Sequence, residues 1–373
     1  MIPPRFIRAL VVAGVEANGP HPWDIQIYDA DVFARVRLDG LTGLGDAYVD
    51  GLWDCESLDQ FFARALGADL GRGLWLSRDV LLTYLIERVS NLQTMARSRR
   101  NVERHYNLGN DLFKAMLDPL MVYSCGYWRH ADDLAVAQLA KLDLVCRKVG
   151  MRPGMRVLDI GCGWGGLAKF AAERYGVSVV GITLSQEQLA YGREACRGLP
   201  VDLRLCDYRA VSETFDRAVS IGMFEHVGPK NYGSYMRAVE RCLTPDGLAL
   251  LHFFASRESF PNTSSSEVNW ITKHIFPGMV VPSLKQVGAA IDGLFVLEDL
   301  HNFGADYDPT LMAWHENFDR AWPSLKGVYG DRFYRMWKYY LLMAAGAFRA
   351  RKYQLWQLVL SRRGVPDGYQ TVR

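Results

Sequence analysis

One run, Val157-Leu158-Asp159-Ile160-Gly161-Cys162-Gly163-Trp164-Gly165-Gly166, constrains this chain more than any other. An apolar strand ends in a glycine turn, and a helical pattern follows from Leu167 to Tyr175. Glycines at such a turn let bare backbone amides and a helix N-terminus come close to a ligand. A phosphate-binding loop of the Walker type would close on Gly-Lys-Ser or Gly-Lys-Thr, and none is present. The spacing also misses the dinucleotide fingerprint, and the next strand ends in Gly181-Ile182-Thr183 with no acid for a ribose.

Beyond the turn, the pattern predicts strands at 177–182, 201–205, 215–221 and 248–254, with helices at 186–196 and 232–242. Such alternation implies a parallel sheet covered on both faces, with ligands at the carboxyl ends of its strands. A further strand is expected at 295–299, helices at 310–322 and 331–348, and a last strand at 353–361. The 331–348 helix places Arg332, Arg335 and Lys338 on one face, read as solvated, and Phe333, Trp337, Leu341 and Ala344 on another. Upstream of the glycine turn, a helix at 132–149 is capped by Asp132 or Asp133 and ends at Gly150.

With 373 residues and 49% hydrophobic content, the chain can bury a large core and has room for two domains. Residues 1–90 read as a small α+β domain, with strand-like pieces at 24–28 and 32–38 and helical pieces at 58–66 and 80–89. A polar, basic stretch at 91–104, with Arg97, Arg99, Arg100 and Arg104, reads as a linker to a catalytic domain spanning 105–373. The net charge of +2, from 43 basic and 41 acidic residues, argues against a nucleic-acid partner. Seven cysteines form no C-x-x-C pair and no zinc-binding spacing, so reduced thiols and no metal are expected. The apolar stretch Phe6 to Val15 is interrupted by Arg8 and lacks a cleavage site, and the segment 339–348 is too short to span a bilayer. A cytoplasmic protein able to touch a membrane surface fits these features.

Asp159, two residues before the first glycine, makes the run similar to motif I of the S-adenosylmethionine-dependent methyltransferases. Four more strings surround it in order: His105-Tyr106-Asn107-Leu108-Gly109-Asn110-Asp111, Tyr123-Ser124-Cys125-Gly126-Tyr127-Trp128, Gly222-Met223-Phe224-Glu225-His226-Val227-Gly228 and His301-Asn302-Phe303-Gly304-Ala305-Asp306-Tyr307. Together with Leu44-Gly45-Asp46-Ala47-Tyr48-Val49-Asp50-Gly51-Leu52-Trp53, they make nearly the whole chain resemble the cyclopropane-fatty-acyl-phospholipid synthases, a family shared with the mycolic acid cyclopropane synthases. The resemblance implies an α/β class I methyltransferase (Rossmann-like) fold with a seven-stranded sheet whose final strand is antiparallel, beside the small N-terminal α+β domain. It also implies transfer of a methylene from S-adenosylmethionine to a cis double bond of an unsaturated phospholipid. Its further implications are a homodimer associated with the inner face of the membrane and a lipid-docking role for the N-terminal domain.

The cofactor contacts implied by the resemblance are Tyr123, Ser124, Gly161, Cys162, Gly163, Gly165, Thr183, Leu184, Ser185, Gln188, Tyr208 and Arg209. Gln188 would take the ribose role of the missing acid; by its position alone it reads as a solvated helix residue. An isolated alkene is a poor nucleophile, so the enzyme must hold it in line with the sulfonium and exclude water. Methyl transfer leaves a cation on the neighbouring carbon. Ring closure then needs only the loss of a proton to a weak, well-placed base. In the family that base is thought to be bicarbonate, held at positions matching Cys125, Glu225, His252 and Tyr307. Each has an ordinary reading as well: a small buried hydrophobe, a capping carboxylate, a core histidine and a packing tyrosine. The resemblance alone moves them toward catalysis. Ala344 stands where related enzymes often carry a cysteine, which leaves no thiol nucleophile there, and His226 reads as structural.

Overall fold

A computed structural model of the protein describes residues 4–68, 109–259 and 266–373. The linker arginines Arg97, Arg99, Arg100 and Arg104, the 105–108 part of the first motif, Trp75 and the helix expected at 80–89 lie outside the described residues. The structure falls into two compact units. One draws on Met1–Asn91, Phe260–Pro277 and Tyr307–Tyr353; the other draws on Leu92–Ser259, Gly278–Asp306 and Gln354–Arg373.

The second unit is built on a seven-stranded sheet. Its strands are β3 (Arg156–Ile160), β4 (Ser178–Thr183), β5 (Val201–Leu205), β6 (Phe215–Ile221), β7 (Leu243–Ser256), β8 (Val296–Asn302) and β9 (Tyr353–Ser361), in the spatial order β5-β4-β3-β6-β7-β9-β8. The β5-β4-β3-β6-β7 pairings are parallel, and β9 runs antiparallel to β8, as the resemblance implies. Side chains alternate along β3: Leu158 and Ile160 join one core with Ile182, Met236 and Phe253, while Val157 joins the other with Leu142, Val145 and Phe170. Burial on both faces explains why these strands read as apolar runs. Strand order reverses at β3, between β4 and β6, which puts the glycine turn at the switch point where α/β sheets bind ligands.

The first unit carries the short antiparallel pair β1 (Gln26–Ile27) and β2 (Trp53–Asp54), but it is mostly helical. The strand expected at 32–38 is instead the start of the helix Asp31–Val49, in which Val32 and Val36 lie one turn apart on the buried face. Four-residue spacing outweighs the local β-branched content here. The two helices expected at 310–322 and 331–348 form one element, Tyr307–Arg349, broken at Gly330 (φ 74°). Arg335 corrects the reading of a solvated basic face. Its guanidinium donates to Tyr48 O (2.7 Å) and Trp53 O (2.9 Å), pairs with Asp54 (2.8 Å), and lies 4.1 Å from the Tyr48 ring centre. Around it, Tyr48, Trp53, Phe61, Phe62, Trp270 and Tyr339 make one aromatic cluster. Gly346 packs so tightly that an added Cβ would sit 2.6 Å from Phe62 Cβ, which makes the late helix integral to this unit.

Candidate active site

At the switch point, β3 delivers Asp159 and then turns through Gly161 (φ 82°), Gly163 (φ 56°) and Gly165 (φ 85°) into the helix Gly166–Tyr175. These left-handed conformations are why glycine recurs there. The amides of Gly161 and Cys162 both donate to Ile182 O, which ties the turn to the end of β4. Cys162 is buried, with its thiol pushed well up by burial, and so packs rather than reacts.

Beyond β4, the string Thr183-Leu184-Ser185 closes on its own helix. The Thr183 hydroxyl donates to Gln188 Oε1 (2.9 Å), the Ser185 amide donates to Thr183 Oγ1 (3.2 Å), and Ser185 Oγ caps the helix by accepting from the Gln188 amide (3.3 Å). Gln188 is 4% exposed, so the solvated reading fails. Its oxygen is already used, which leaves its amide nitrogen to donate. After β5, Asp207 accepts from the Arg209 amide (2.9 Å) and pairs with its guanidinium (3.3 Å), which lies 4.9 Å from the Tyr208 ring centre. Tyr123 packs 5.2 Å from Phe113, Phe113 packs 4.8 Å from Trp164, and Trp164 Nε1 donates to Asn110 Oδ1. Two motifs far apart in sequence thereby meet.

The second group of residues gathers at the ends of β6 and β7. Ile221 pairs with His252 across these strands, and the Gly222 amide donates to His252 O (2.8 Å). Glu225 follows in a short helical turn, 1% exposed, and its Oε1 accepts from the Phe254 amide (2.6 Å), two residues along the strand from His252. A capping role is thereby excluded: the carboxylate reaches across to a strand. Its second oxygen, Oε2, is buried without a hydrogen-bond partner among the described residues. His252 is 1% exposed; Gln357 Nε2 lies 3.3 Å from its Nδ1, and its Nε2 is likewise buried without a partner among the described residues. With Nδ1 accepting from the Gln357 amide, the proton sits on Nε2 and gives a buried donor.

Burial pushes the Glu225 carboxyl up to about 7, against the lowering effect of the Phe254 amide. Burial also holds His252 well below the usual histidine range, so the ring is neutral. An acceptor and a neutral donor tied to one strand end suit an oxyanion that carries a hydroxyl. His226, beside Glu225, is held down to about 4 by burial.

Cys125 is fully buried in the segment after Ser124, with its thiol donating to Gly126 O (3.2 Å). Tyr307 belongs to the other unit, where its ring packs 4.6 Å from Phe348 and 5.9 Å from Trp314.

The sequence reading passed over several buried polar side chains. The helix Leu134–Lys148 carries Gln138, Lys141 and Lys148 toward the protein interior, all 0–1% exposed. Gln138 Nε2 donates to Ser124 O (2.7 Å), Lys141 Nζ donates to Ser124 Oγ (2.9 Å), and Lys148 pairs with Asp299 (3.0 Å). Burial lowers Lys141 to about 8 and raises Asp159 to about 7. The available signal was the spacing: positions 138, 141 and 148 fall along one helical face between apolar residues.

The family model for mycolic acid cyclopropane synthetase matches residues 93–358. The cyclopropane-fatty-acyl-phospholipid synthase of Escherichia coli K12 is 50% identical over 361 residues, covering 97% of this chain and 93% of that protein. The tuberculostearic acid methyltransferase UfaA1 of Mycobacterium tuberculosis is 32% identical, over 94% of this chain and 86% of that one. Among solved structures, the mycolic acid cyclopropane synthase CmaA1, complexed with SAH and CTAB, superposes with a TM-score of 0.67 at 32% identity, covering 70% of this chain and 97% of that chain. With a family match over most of its length and a half-identical relative, this chain belongs to the mycolic acid cyclopropane synthetase family.

Proposed function

We propose that this protein transfers a methylene from S-adenosylmethionine to the cis double bond of an unsaturated phospholipid acyl chain, making a cyclopropane ring, with bicarbonate as general base. The paired orphans Glu225 Oε2 and His252 Nε2 carry the reading. Two buried polar atoms left unpaired cost free energy that a ligand would recover. When bound, the cofactor supplies an electrophilic methyl group and bicarbonate a proton acceptor.

The residues divide the remaining work. Glu225, with a carboxyl near neutrality, accepts the hydroxyl proton of the anion and can hold that proton after abstraction. His252 donates through Nε2, its orientation fixed by Gln357. In this reading a backbone amide near Cys125 also donates to the anion, and Tyr307 keeps the role that the family resemblance implies. The cofactor rests on Gly161, Cys162, Gly163 and Gly165, on Thr183, Leu184, Ser185 and Gln188, and on Tyr123, Ser124, Tyr208 and Arg209. The Gln188 amide donates to the ribose in place of the absent acid.

The wider assignments belong to the same proposal: a homodimer in the cytoplasm, visiting the inner membrane face, with residues 1–90 as the docking part and 105–373 as the catalytic part. No helix among the described residues is long and apolar enough to cross a membrane. Trp23, Trp53 and Trp75 are the aromatics that residues 1–90 could offer to a membrane surface; Trp53 is fully buried and donates to Leu44 O (2.8 Å), so it takes no part in docking. Trp23 lies 3.9 Å from the Arg64 guanidinium and 4.9 Å from the His21 ring.

Vesicles of cis-unsaturated phospholipid with S-adenosylmethionine test the activity. The expected product is an acyl chain heavier by one methylene and without olefinic protons. A product that keeps a double bond or carries an open methyl branch assigns the chain to the second reading, a lipid C-methyltransferase, which the similarity to the tuberculostearic acid enzyme favours.

A further inference from the structure

The segment from Val122 to Tyr127 lies against the helix Leu134–Lys148 and is fastened at several points. Gln138 Nε2 donates to Ser124 O (2.7 Å), and the Tyr127 amide donates to Ala137 O (2.9 Å). Gly126 has no room for a side chain: a Cβ there would lie 2.9 Å from that of Ala137. Into this tight contact the helix sends Lys141, 0% exposed, with its ammonium 2.9 Å from Ser124 Oγ. No carboxylate of the described residues is within ion-pair distance of it. Asp118 and Asp159 act on it only through space, and a cation taken this far from water without a direct ion pair is costly, so its placement calls for an explanation.

Hydrogen-bond polarity supplies one. A lysine ammonium can only donate, so Ser124 Oγ must accept from it. The serine's own hydrogen then points elsewhere. Ser124 is 7% exposed, and no described residue accepts from its hydroxyl. What remains is a buried donor, fixed in direction and backed by a positive charge. Such a donor selects an anionic acceptor.

We propose that Lys141 is a positioning residue that turns the Ser124 hydroxyl into an obligate donor to the carboxylate of the bound cofactor. S-adenosylmethionine carries one anionic group, that carboxylate, and the choice of ligand group follows from this. The inference rests on the reading of Ser124 as a cofactor contact. Asp159, the buried carboxyl at the end of β3, is a counterpart suited to the cofactor's ammonium.

Calorimetric titration of the full-length protein with S-adenosylhomocysteine, and separately with decarboxylated S-adenosylmethionine, tests the pairing. Lys141→Met should weaken S-adenosylhomocysteine binding about tenfold or more, on the scale of one charge-assisted hydrogen bond, and leave the decarboxylated ligand within about twofold of wild type. Ser124→Ala should give the same pattern, and the double variant should be no weaker than either single one. Turnover at saturating cofactor should fall less than affinity does.

Equal weakening toward both ligands would show a structural role and overturn the proposal, as would unchanged binding in either variant. If Lys141→Met does not fold, Ser124→Ala alone decides, by whether its loss depends on the carboxylate. Wild-type protein that fails to bind S-adenosylhomocysteine sinks the functional reading itself. Wild-type binding with an insensitive Ser124→Ala sinks only the role of Lys141.

Discussion

The proposed cofactor cradle and the proposed base site at Glu225 and His252 sit on the same sheet, yet they treat most of their buried polar groups differently. Along the proposed cradle several groups are paired with near neighbours, Thr183 with Gln188, Ser185 with the Gln188 amide and Asp207 with Arg209, although the buried Tyr208 hydroxyl has no partner among the described residues. At the proposed base site, Glu225 Oε2 and His252 Nε2 are buried and have no partner among the described residues. Unpaired groups are expensive, whereas a satisfied network rigidifies its surroundings. The Thr183–Gln188 stretch is thus ordered by its own hydrogen bonds, whereas Glu225 and His252 each leave a buried polar atom that only a ligand would satisfy.

That contrast is broken most readily at Glu225. Glu225→Gln keeps the shape and the Phe254 hydrogen bond but cannot hold the abstracted proton. Turnover should fall roughly a hundred- to ten-thousandfold, with S-adenosylhomocysteine affinity unchanged. Carbonate-depleted buffer should slow the wild type and barely affect the variant. Normal turnover in Glu225→Gln would mean that the pocket is not the base site.

The same residue leaves a mark on stability. Its folded-state pKa, about 7, lies above the ordinary 4.5, so the folded protein binds the proton more tightly than the unfolded chain does. That contribution is full below pH 4.5 and is lost as pH rises through 7. The loss is about 3 kcal/mol from this one group, and Asp159, also raised to about 7, adds to it with the same sign. Denaturant titration of ligand-free protein between pH 4.5 and 7.5 should show the decline, with a shallower slope in Glu225→Gln. Identical slopes would place the Glu225 carboxyl in a better solvated setting than its burial implies.

The two regions also differ in how far the sequence revealed them. The cradle is local: glycines that need positive φ, a serine cap and a threonine fall within thirty residues of one another, and each leaves a short-range signature. The pocket depends on register. Glu225 meets the Phe254 amide, and Gln357 meets His252, across strands more than a hundred positions apart in the latter case. No spacing rule reports that, and only the family resemblance pointed to Glu225 and His252. Lys141 and Gln138 were missed because charged and amide residues on a helix read as solvated unless their buried partners are known. The parallel pairing of the sheet followed from alternation. The make-up of the first unit did not, because its aromatic cluster joins Tyr48 and Phe62 to Trp270 and Tyr339.

A smaller effect is expected in the turn of the cradle. Gly165→Ala must hold a side chain at φ 85°, with its Cβ 3.2 Å from Leu203 Cδ1 and 3.3 Å from Cys196 Sγ. The left-handed backbone alone costs about 1–2 kcal/mol. The melting temperature should drop, and cofactor affinity with it, while turnover at saturating cofactor stays within a few-fold of wild type. A collapse of saturated turnover like that of Glu225→Gln would erase the distinction between a binding region and a chemical one.

The smallest effect sharpens the contrast from the other side. Ser185 is fully buried, and its hydroxyl caps the helix that carries Gln188. Ser185→Ala removes one capping hydrogen bond and should cost about 1 kcal/mol of stability. The Gln188 side chain keeps its bond from Thr183, so one of its two anchors survives. Cofactor affinity should therefore fall only a few-fold, and adding Thr183→Val should deepen the loss beyond the sum of the two, because the anchors share one residue. Denaturant melts and calorimetry on the two single variants and the double variant read this directly. Strict additivity would mean that Gln188 is held by packing alone, and the cradle would then owe its order to the surrounding core rather than to its own hydrogen bonds.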